Sequence, residues 1–189
     1  MNCWIASQDA LADWIGSPAR DVRVALDTEF VRERTFHPQL ALAQMAWPDG
    51  EVALVDVLAT GSADAFVALL ADPTVTKIMH SASEDLQALQ HTYRALPRPL
   101  FDTQIAAALC GFGAGIGYQR LVVEMTGHAL EKGETRSDWL RRPLSESQLH
   151  YAAEDVRYLP EMHLTLQAKL VELGRLEWLR EDCERLLAS

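Results

Sequence analysis

The sequence lacks the features that mark secreted and membrane proteins. Its three cysteines, Cys3, Cys110 and Cys183, lie far apart without CxxC spacing, so neither disulfides nor a zinc–cysteine site is expected. No apolar run approaches the roughly 20 residues that span a bilayer. The opening residues, MNCWIASQDALADW, lack the basic start and long apolar stretch of a secretory signal. We therefore expect reduced thiols, a cytoplasmic location and no association with a membrane.

Positive charge is also scarce, with 17 Lys and Arg against 27 Asp and Glu and a formal net charge of −10. Because broad nucleic-acid-binding surfaces are usually basic, a polyanionic substrate would have to be attracted by bound cations and a local basic patch. The 49% of hydrophobic residues and 23% of charged residues are ordinary for a globular protein. No repeat, low-complexity tract or linker divides the chain, so we expect residues 1–189 to form a single domain.

The spacing of apolar residues predicts a mixed α/β fold. A short helix over 7–15 precedes strands over 23–30, 39–47 and 51–57, and Pro48-Asp49-Gly50 joins the last two as an antiparallel hairpin. The elements expected after these are helices over 62–71, 81–93, 104–110 and 117–126, short strands over 76–80 and 100–103, a loop over 127–143, and a helical region over 145–187 interrupted at Pro160 and Gly174. Three antiparallel strands followed by parallel strands suggest one sheet flanked by helices.

Two carboxylates lie on the first long strand, in VALDTEF. Alternation along a strand places Asp27 and Glu29 on the same face. Burying such a pair is costly, because desolvation and mutual repulsion both oppose ionisation, and a divalent cation would remove both penalties. The alternative is a strand end that runs into solvent.

Another acid lies near a helix start, in HSASEDLQAL. Ser81-x-x-Glu84 fits a capping box, in which Ser81 caps the helix and Glu84 reaches back, leaving Asp85 for another role. The alternative is that Asp85 only complements the helix dipole.

A third segment, YAAEDVRYL, follows a second capping-box pattern. Ser145-x-x-Gln148 marks the helix start, and Tyr151 and Asp155 then share a face because they are four residues apart. Pro160 removes a backbone donor, so a kink just beyond Asp155 is expected. Alternatively, Tyr151 is a core aromatic and Asp155 a solvated acid.

In this order, DTE, SEDL and YxxxD resemble the three exonuclease motifs of the DEDD superfamily, and the tyrosine is typical of its DEDDy branch. The similarity to the ribonuclease D catalytic domain covers residues 22–166, through FVRERTFHPQLALAQ, HSASEDLQAL, FDTQIAA and ETRSDWLRRPLSESQLHYAAEDVRYL. The resemblance implies a ribonuclease H-like fold and a metal-dependent 3′-5′ exoribonuclease that releases 5′-mononucleotides from single-stranded or frayed 3′ ends.

The resemblance also implies a role for each site residue. Asp27, Glu29 and Asp155 would hold one metal ion, with Asp27 bridging to a second that Asp85 supports, and Tyr151 would orient the attacking water. Two Mg²⁺ or Mn²⁺ ions about 3.5–4 Å apart suit in-line phosphodiester cleavage and oxygen ligands.

Substrate contacts are expected from Thr28 and His80, which resemble family positions near the terminal nucleotide. The basic side chains that could form a local patch are Arg32, Arg34, His37, Lys132, Arg136, Arg141 and Arg142. Each could equally be a solvated loop residue. Phe30, Phe36 and Trp139 could stack on a base or belong to the core.

Ribonuclease D usually carries HRDC domains after its catalytic domain, and we expect no HRDC domains in this chain. We expect 161–189 to be a C-terminal helical extension, whose apolar face packs on the core or supports a homodimer. Three alternatives remain: a 3′-5′ exodeoxyribonuclease, a nucleic-acid-binding module with an inactive site, and a purely structural interaction domain.

Overall fold

The long first strand lies inside a six-stranded sheet with the order β1-β4-β3-β2-β5-β6. The computed structural model describes residues 2–17, 20–32, 36–61, 63–131, 133–134 and 137–189. The strands are β1 (Asn2–Ile5), β2 (Arg23–Val31), β3 (Gln39–Ala46), β4 (Val52–Val55), β5 (Thr76–Met79) and β6 (Leu100–Asp102). Strand β3 is antiparallel to β2 and β4, whereas β5 is parallel to β2 and β6. The predicted mixed sheet is confirmed.

Strand β1 was not among the expected elements. It pairs in parallel with β4 at the edge of the sheet, where Ile5 lies opposite Val55. Only Ile5 of its four residues is buried. A strand this short and exposed carries no alternating apolar signal, which explains why the sequence pattern does not reveal it.

Helices flank this sheet. They are α1 (Gln8–Ile15), α2 (Val57–Thr60), α3 (Asp64–Ala71), α4 (Ser83–Tyr93), α5 (Thr103–Leu109), α6 (Tyr118–Thr126), α7 (Glu146–Arg157), α8 (Leu159–Glu172) and α9 (Leu176–Leu187). Helix α7 packs on β2, β3 and β4, and α4 packs on β2 and β3. The described residues between α6 and α7 form no helix or strand, in agreement with the predicted loop. None of the described helices is both long and apolar enough to cross a bilayer.

The interruptions at Pro160 and Gly174 separate three helices. Pro160 lies in the first turn of α8, where a missing backbone donor costs little, so the expected kink is instead the start of a new helix after Tyr158. At the other end, Gly174 has φ +67°, and the amide of Arg175 donates to the carbonyl of Leu170 at 2.8 Å. This Schellman-type arrangement ends α8.

The C-terminal helices contribute to the core. Leu170 and Leu179 are buried, whereas Leu173 and Trp178 are exposed. Helix α9 packs on β6 and α5. The apolar face expected over 161–187 therefore packs largely against the sheet and its neighbouring helices.

Candidate active site

Strand β2 and helix α7 bring three carboxylates together. Asp27 and Glu29 come from β2 and Asp155 from α7, and one oxygen of each lies within 4.8 Å of the others. The three β2 residues before Asp27 are buried, so the acids come directly after a part of the strand that lies in the hydrophobic core. Oxygen donors at this spacing fit a hard divalent cation.

The three carboxylates of this cluster repel one another when they are ionised. Desolvation by burial, followed by the charge of Asp85, raises the pKa of Asp27 well above its ordinary value. Burial raises the pKa of Glu29 to about 9, with Asp155 adding to the effect. Burial likewise raises the pKa of Asp155 to about 7, although the hydrogen bond from Tyr151 opposes the rise. A cation would relieve all three penalties, which a solvent-exposed strand end would not incur.

Asp85 lies beside this cluster but is not one of the three clustered ligands. Its carboxylate accepts a hydrogen bond of 2.5 Å from the Thr28 hydroxyl, and only 8% of its surface is exposed. Burial raises the pKa of Asp85 to about 7, with the Thr28 bond acting in the opposite direction. Asp85 therefore has a buried side-chain partner in addition to its place in the first turn of α4. Its expected support of a second metal ion stays a prediction.

The expected capping box at the start of α4 is wrong. The N-cap is Ala82, whose own side chain makes no capping hydrogen bond, and Ser81 has φ +56°. The amides of Ser81 and Ala82 instead donate to the carboxylate of Asp102, at 3.1 and 2.9 Å. Glu84, the expected capping partner, faces solvent and lies 3.7 Å from the guanidinium of Arg32.

Asp102 also caps the next helix. Its carboxylate accepts the amides of Gln104 and Ile105 at 2.8 and 3.3 Å, and the residue is 1% exposed. A single buried side chain therefore fixes the starts of α4 and α5. Sequence reasoning missed this residue, although an aspartate that ends a strand before a helix is a recognisable capping signal.

The capping box at the start of α7 is confirmed. The backbone amide of Gln148 donates a hydrogen bond to the Ser145 hydroxyl at 3.1 Å. In return, the side-chain oxygen of Gln148 accepts one from the backbone amide of Ser145 at 2.9 Å. Seven residues after Gln148, Asp155 enters the acidic cluster. Glu154, the neighbour of Asp155, forms an ion pair with Arg157 at 2.6 Å.

Tyr151 is packed between the cluster and the loop that precedes α7. A Cβ added at Gly133 would lie 3.0 Å from the Tyr151 ring, so only glycine fits there without displacing the ring. The buried indole of Trp139 lies 6.2 Å from that ring. Burial raises the pKa of Tyr151 well above its ordinary value, which keeps the hydroxyl protonated. A cleft of about 40 Å³ beside Tyr151 and Asp155 has room for a water molecule.

The expected substrate residues are placed differently from one another. Thr28 adjoins the cluster through Asp85, whereas both ring nitrogens of His80 are already hydrogen-bonded, to Thr103 at 2.9 Å and to the carbonyl of Ile116 at 3.0 Å. Arg136, Arg34 and Lys132 lie outside the described residues. Contact of Thr28, His80 or Arg136 with a nucleotide stays a prediction.

Arg142 does not belong to a phosphate-binding patch. Its guanidinium pairs with Asp56 through two hydrogen bonds of 2.9 and 2.7 Å and also donates to the backbone carbonyls of Ala41 and Trp139. These contacts join the loop before α7 to the sheet. Trp139 is 2% exposed and is therefore a core residue rather than a base-stacking one.

Gln44 is a second buried polar residue that sequence reasoning missed. It lies opposite Asp27 in the β2–β3 register and has no exposed surface. Neither side-chain amide atom makes a hydrogen bond of ordinary geometry within the described part of the chain. Its proximity to Glu29 partly offsets the rise in the pKa of that acid. The sequence signal for this residue was a side-chain amide inside an otherwise apolar strand.

Comparison with known proteins agrees with this geometry. A family model described as 3′-5′ exonuclease matches residues 2–171. Ribonuclease D of Xanthomonas oryzae pv. oryzae is 56% identical over 189 residues, which cover 100% of this chain and 52% of that protein. Ribonuclease D of Escherichia coli K12 is 46% identical over 177 residues, or 93% of this chain and 46% of that protein. The chain thus spans about half the length of the curated relatives it matches.

Solved structures show the same fold. Escherichia coli RNase D, an exoribonuclease involved in structured RNA processing, matches with a TM-score of 0.95 and 40% identity, covering 100% of this chain and 50% of that chain. Brucella melitensis NrnC bound to pGG matches with a TM-score of 0.84 and 27% identity, covering 100% of this chain and 90% of that chain. The predicted ribonuclease H-like α/β fold is confirmed.

Proposed function

Because the chain belongs to the 3′-5′ exonuclease family, we propose that it is a metal-dependent 3′-5′ exoribonuclease that releases 5′-mononucleotides. The observation that carries this proposal is the cluster of Asp27, Glu29 and Asp155, whose oxygens lie within 4.8 Å of one another. Family membership supplies the reaction class, and the chemistry of the cluster fits it. RNA is favoured over DNA because ribonuclease D is the most similar relative described above, at 56% identity.

The cofactor proposed for this site is a pair of Mg²⁺ or Mn²⁺ ions. Asp27, Glu29 and Asp155 are the side chains that would hold one ion, with Asp27 shared with the second and Asp85 supporting it. When bound, such ions activate water and stabilise the negative charge that develops on the phosphate and the leaving 3′ oxygen.

The remaining steps depend on the chain's own side chains. Thr28 holds the Asp85 carboxylate through a hydrogen bond of 2.5 Å. The Tyr151 hydroxyl stays protonated and hydrogen-bonds to Asp155, so it can hold a water molecule in the adjoining cleft in position for attack. Gly133 and Trp139 restrict the Tyr151 ring. Thr28, His80 and Arg136 remain the proposed contacts to the terminal nucleotide.

The wider assignments are also proposals. We take residues 1–189 as one exonuclease domain, because the buried residues form one cluster that includes Leu170, Leu179 and Leu187 of the C-terminal helices. The cytoplasmic location fits three unpaired cysteines, of which Cys110 and Cys183 are buried. A homodimer through the C-terminal helices would use Leu173 and Trp178, which are exposed.

Digestion of matched 5′-labelled RNA and DNA oligonucleotides tests the proposal. We expect a ladder of products shortened from the 3′ end with Mg²⁺ or Mn²⁺, none with EDTA, and faster cleavage of RNA. Asp155→Asn should lower the rate by at least about a thousandfold, because it removes a ligand from the cluster. Glu146→Gln, at the exposed start of the same helix, is the matched control and should retain activity.

The possible outcomes separate the alternatives. Faster cleavage of DNA would identify an exodeoxyribonuclease. Binding of oligonucleotides without shortening under either metal would identify an inactive binding module. Cleavage that persists in EDTA or in Asp155→Asn would contradict the metal-dependent mechanism.

A further inference from the structure

An open groove lies beside helix α4, and none of the three clustered acids lines it. Its volume is about 900 Å³, and an adjoining hollow of about 640 Å³ shares Phe36, His37 and His91 with it. We call this surface the α4 groove. The lining residues that matter here are Arg32, Phe36, His37, Ser83, His91 and Arg94.

Three aromatic rings from two separate segments meet in the α4 groove. The rings of His37 and His91 stack with centroids 4.2 Å apart and an interplanar angle of 15°. Phe36 packs edge-on against His37 at 4.8 Å and is 88% exposed. Exposed flat rings are the platforms on which unpaired bases of any sequence stack.

The α4 groove also carries positive charge on a protein whose formal net charge is −10. Arg32 is 45% exposed at its side chain and lies 3.7 Å from Glu84, its one ion-pair partner among the residues that the structure describes. Arg94 forms no ion pair within the described residues. Two guanidinium groups beside aromatic rings are complementary to the phosphates and bases of a nucleic-acid strand.

Two elements that line the α4 groove also carry acids of the candidate active site. Arg32 directly follows β2, three residues after Glu29, and Ser83 lies in the first turn of α4, two residues before Asp85. The groove residues Ser83, Gln87 and Gln90 are spaced three or four apart along one face of α4, and Arg94 follows as the C-cap of that helix. From Ser83 to Gln90 this face is about 10 Å long, the length of roughly three stacked nucleotides.

We propose that the α4 groove binds the part of a single-stranded RNA that lies 5′ of the nucleotide being removed. Bases stack on Phe36 and on the His37–His91 pair, and phosphates face Arg32 and Arg94. The proposal rests on the exonuclease function proposed above, and it assigns the substrate beyond the terminal nucleotide to named residues.

Dependence on substrate length tests the proposal, because a dinucleotide cannot reach the groove whereas a decanucleotide can. We expect Phe36→Ala, and the double variant His37→Ala/His91→Ala, to lower kcat/KM for a deca-adenylate RNA by about tenfold or more. The effect should lie in KM, and cleavage of the RNA dinucleotide ApA should change less than about twofold. Trp178→Ala removes another exposed aromatic ring, on α9, and should leave both rates unchanged.

Binding measured without catalysis separates this proposal from the proposed function. Fluorescence anisotropy of the labelled decanucleotide in EDTA should show the same loss of affinity for Phe36→Ala. The slope of log affinity against log salt should fall by about 0.7 for Arg94→Gln and stay unchanged for Arg180→Gln on α9. If no variant of the protein cleaves RNA but these binding differences appear, the exonuclease function fails and the groove remains a strand-binding surface.

Two results would overturn the assignment. Equal losses on the dinucleotide and the decanucleotide would show that the rings act on the active site or the fold. Unchanged affinity and rate in Phe36→Ala and in the double histidine variant would show that the RNA strand does not bind in the α4 groove. A protein segment would then be the occupant that the groove fits.

Discussion

Helices α4 and α7 each carry an acid of the candidate active site, but different parts of the chain fix their starts. The start of α7 is local, because Ser145 and Gln148 satisfy each other's backbone groups. The start of α4 depends on Asp102, which lies 20 residues beyond Ala82 and accepts its amide at 2.9 Å. A local cap can be read from a short pattern, whereas a cap supplied by another strand can be found only in the folded chain.

The same comparison explains what could be predicted from the sequence. Strand alternation placed Asp27 and Glu29 together, and helical spacing placed Tyr151 and Asp155 on one face, since both depend only on local geometry. Asp102, Gln44 and the Arg142–Asp56 pair were missed as structural contacts, because each connects segments that are distant in the sequence. The following predictions test the difference between the two helix starts, beginning with the largest expected effect.

Removing the distant cap should be the most damaging change. Asp102→Ala leaves four backbone amides near α4 and α5 without their acceptor, at a cost of about 3 to 5 kcal/mol in the free energy of unfolding. Urea unfolding measures this loss. Exonuclease activity should fall as well, because α4 carries Asp85. Asp102→Asn keeps one acceptor oxygen and should be less damaging, and a loss below about 1 kcal/mol in the alanine variant would contradict the double-cap role.

The acids on both helices should make the unfolding free energy of the metal-free protein depend on pH. The pKa values of Asp85 and Asp155 are raised to about 7, so the folded state holds their protons more tightly than the unfolded chain does. Each acid therefore destabilises the fold progressively as pH rises from about 4 to 7, and this cost is fully present above about pH 7.

Comparison of Asp155→Asn with the natural chain isolates this effect. In EDTA, the variant should gain roughly 2 to 3 kcal/mol of unfolding free energy relative to the natural chain between pH 5 and pH 8. With saturating Mg²⁺ the order should reverse, because only the natural chain retains the ligand. Denaturant unfolding at the two pH values measures the gain, and a difference that is independent of pH would contradict the raised pKa.

The local cap of α7 should have a smaller effect. Ser145→Ala removes the acceptor for the Gln148 amide and should cost about 1 kcal/mol of unfolding free energy. Ser145→Asp, which can still accept that amide, is the matched control and should restore most of the loss. Urea unfolding measures both variants, and a cost above about 3 kcal/mol would mean that Ser145 has a role beyond its cap.

Substitution of Glu84, the expected capping partner in α4, should have the smallest effect on stability. Glu84→Gln removes a solvent-exposed charge that has no capping contact, so unfolding free energy should change by less than about 0.5 kcal/mol. Thermal unfolding of Glu84→Gln beside Ser145→Ala makes the comparison directly. A loss of stability as large as that of Ser145→Ala would mean that Glu84 does form a capping box with Ser81.

Calorimetric titration of Mn²⁺ into the protein at pH 7, without nucleic acid, tests the central claim most directly. The natural chain and Glu146→Gln, which changes an exposed acid in the first turn of the same helix, should bind the ion with the same affinity and release protons, because metal binding displaces protons from acids whose pKa is raised. Asp155→Asn should bind at least about tenfold more weakly and release fewer protons. Equal affinity in all three proteins would contradict a metal site at Asp27, Glu29 and Asp155.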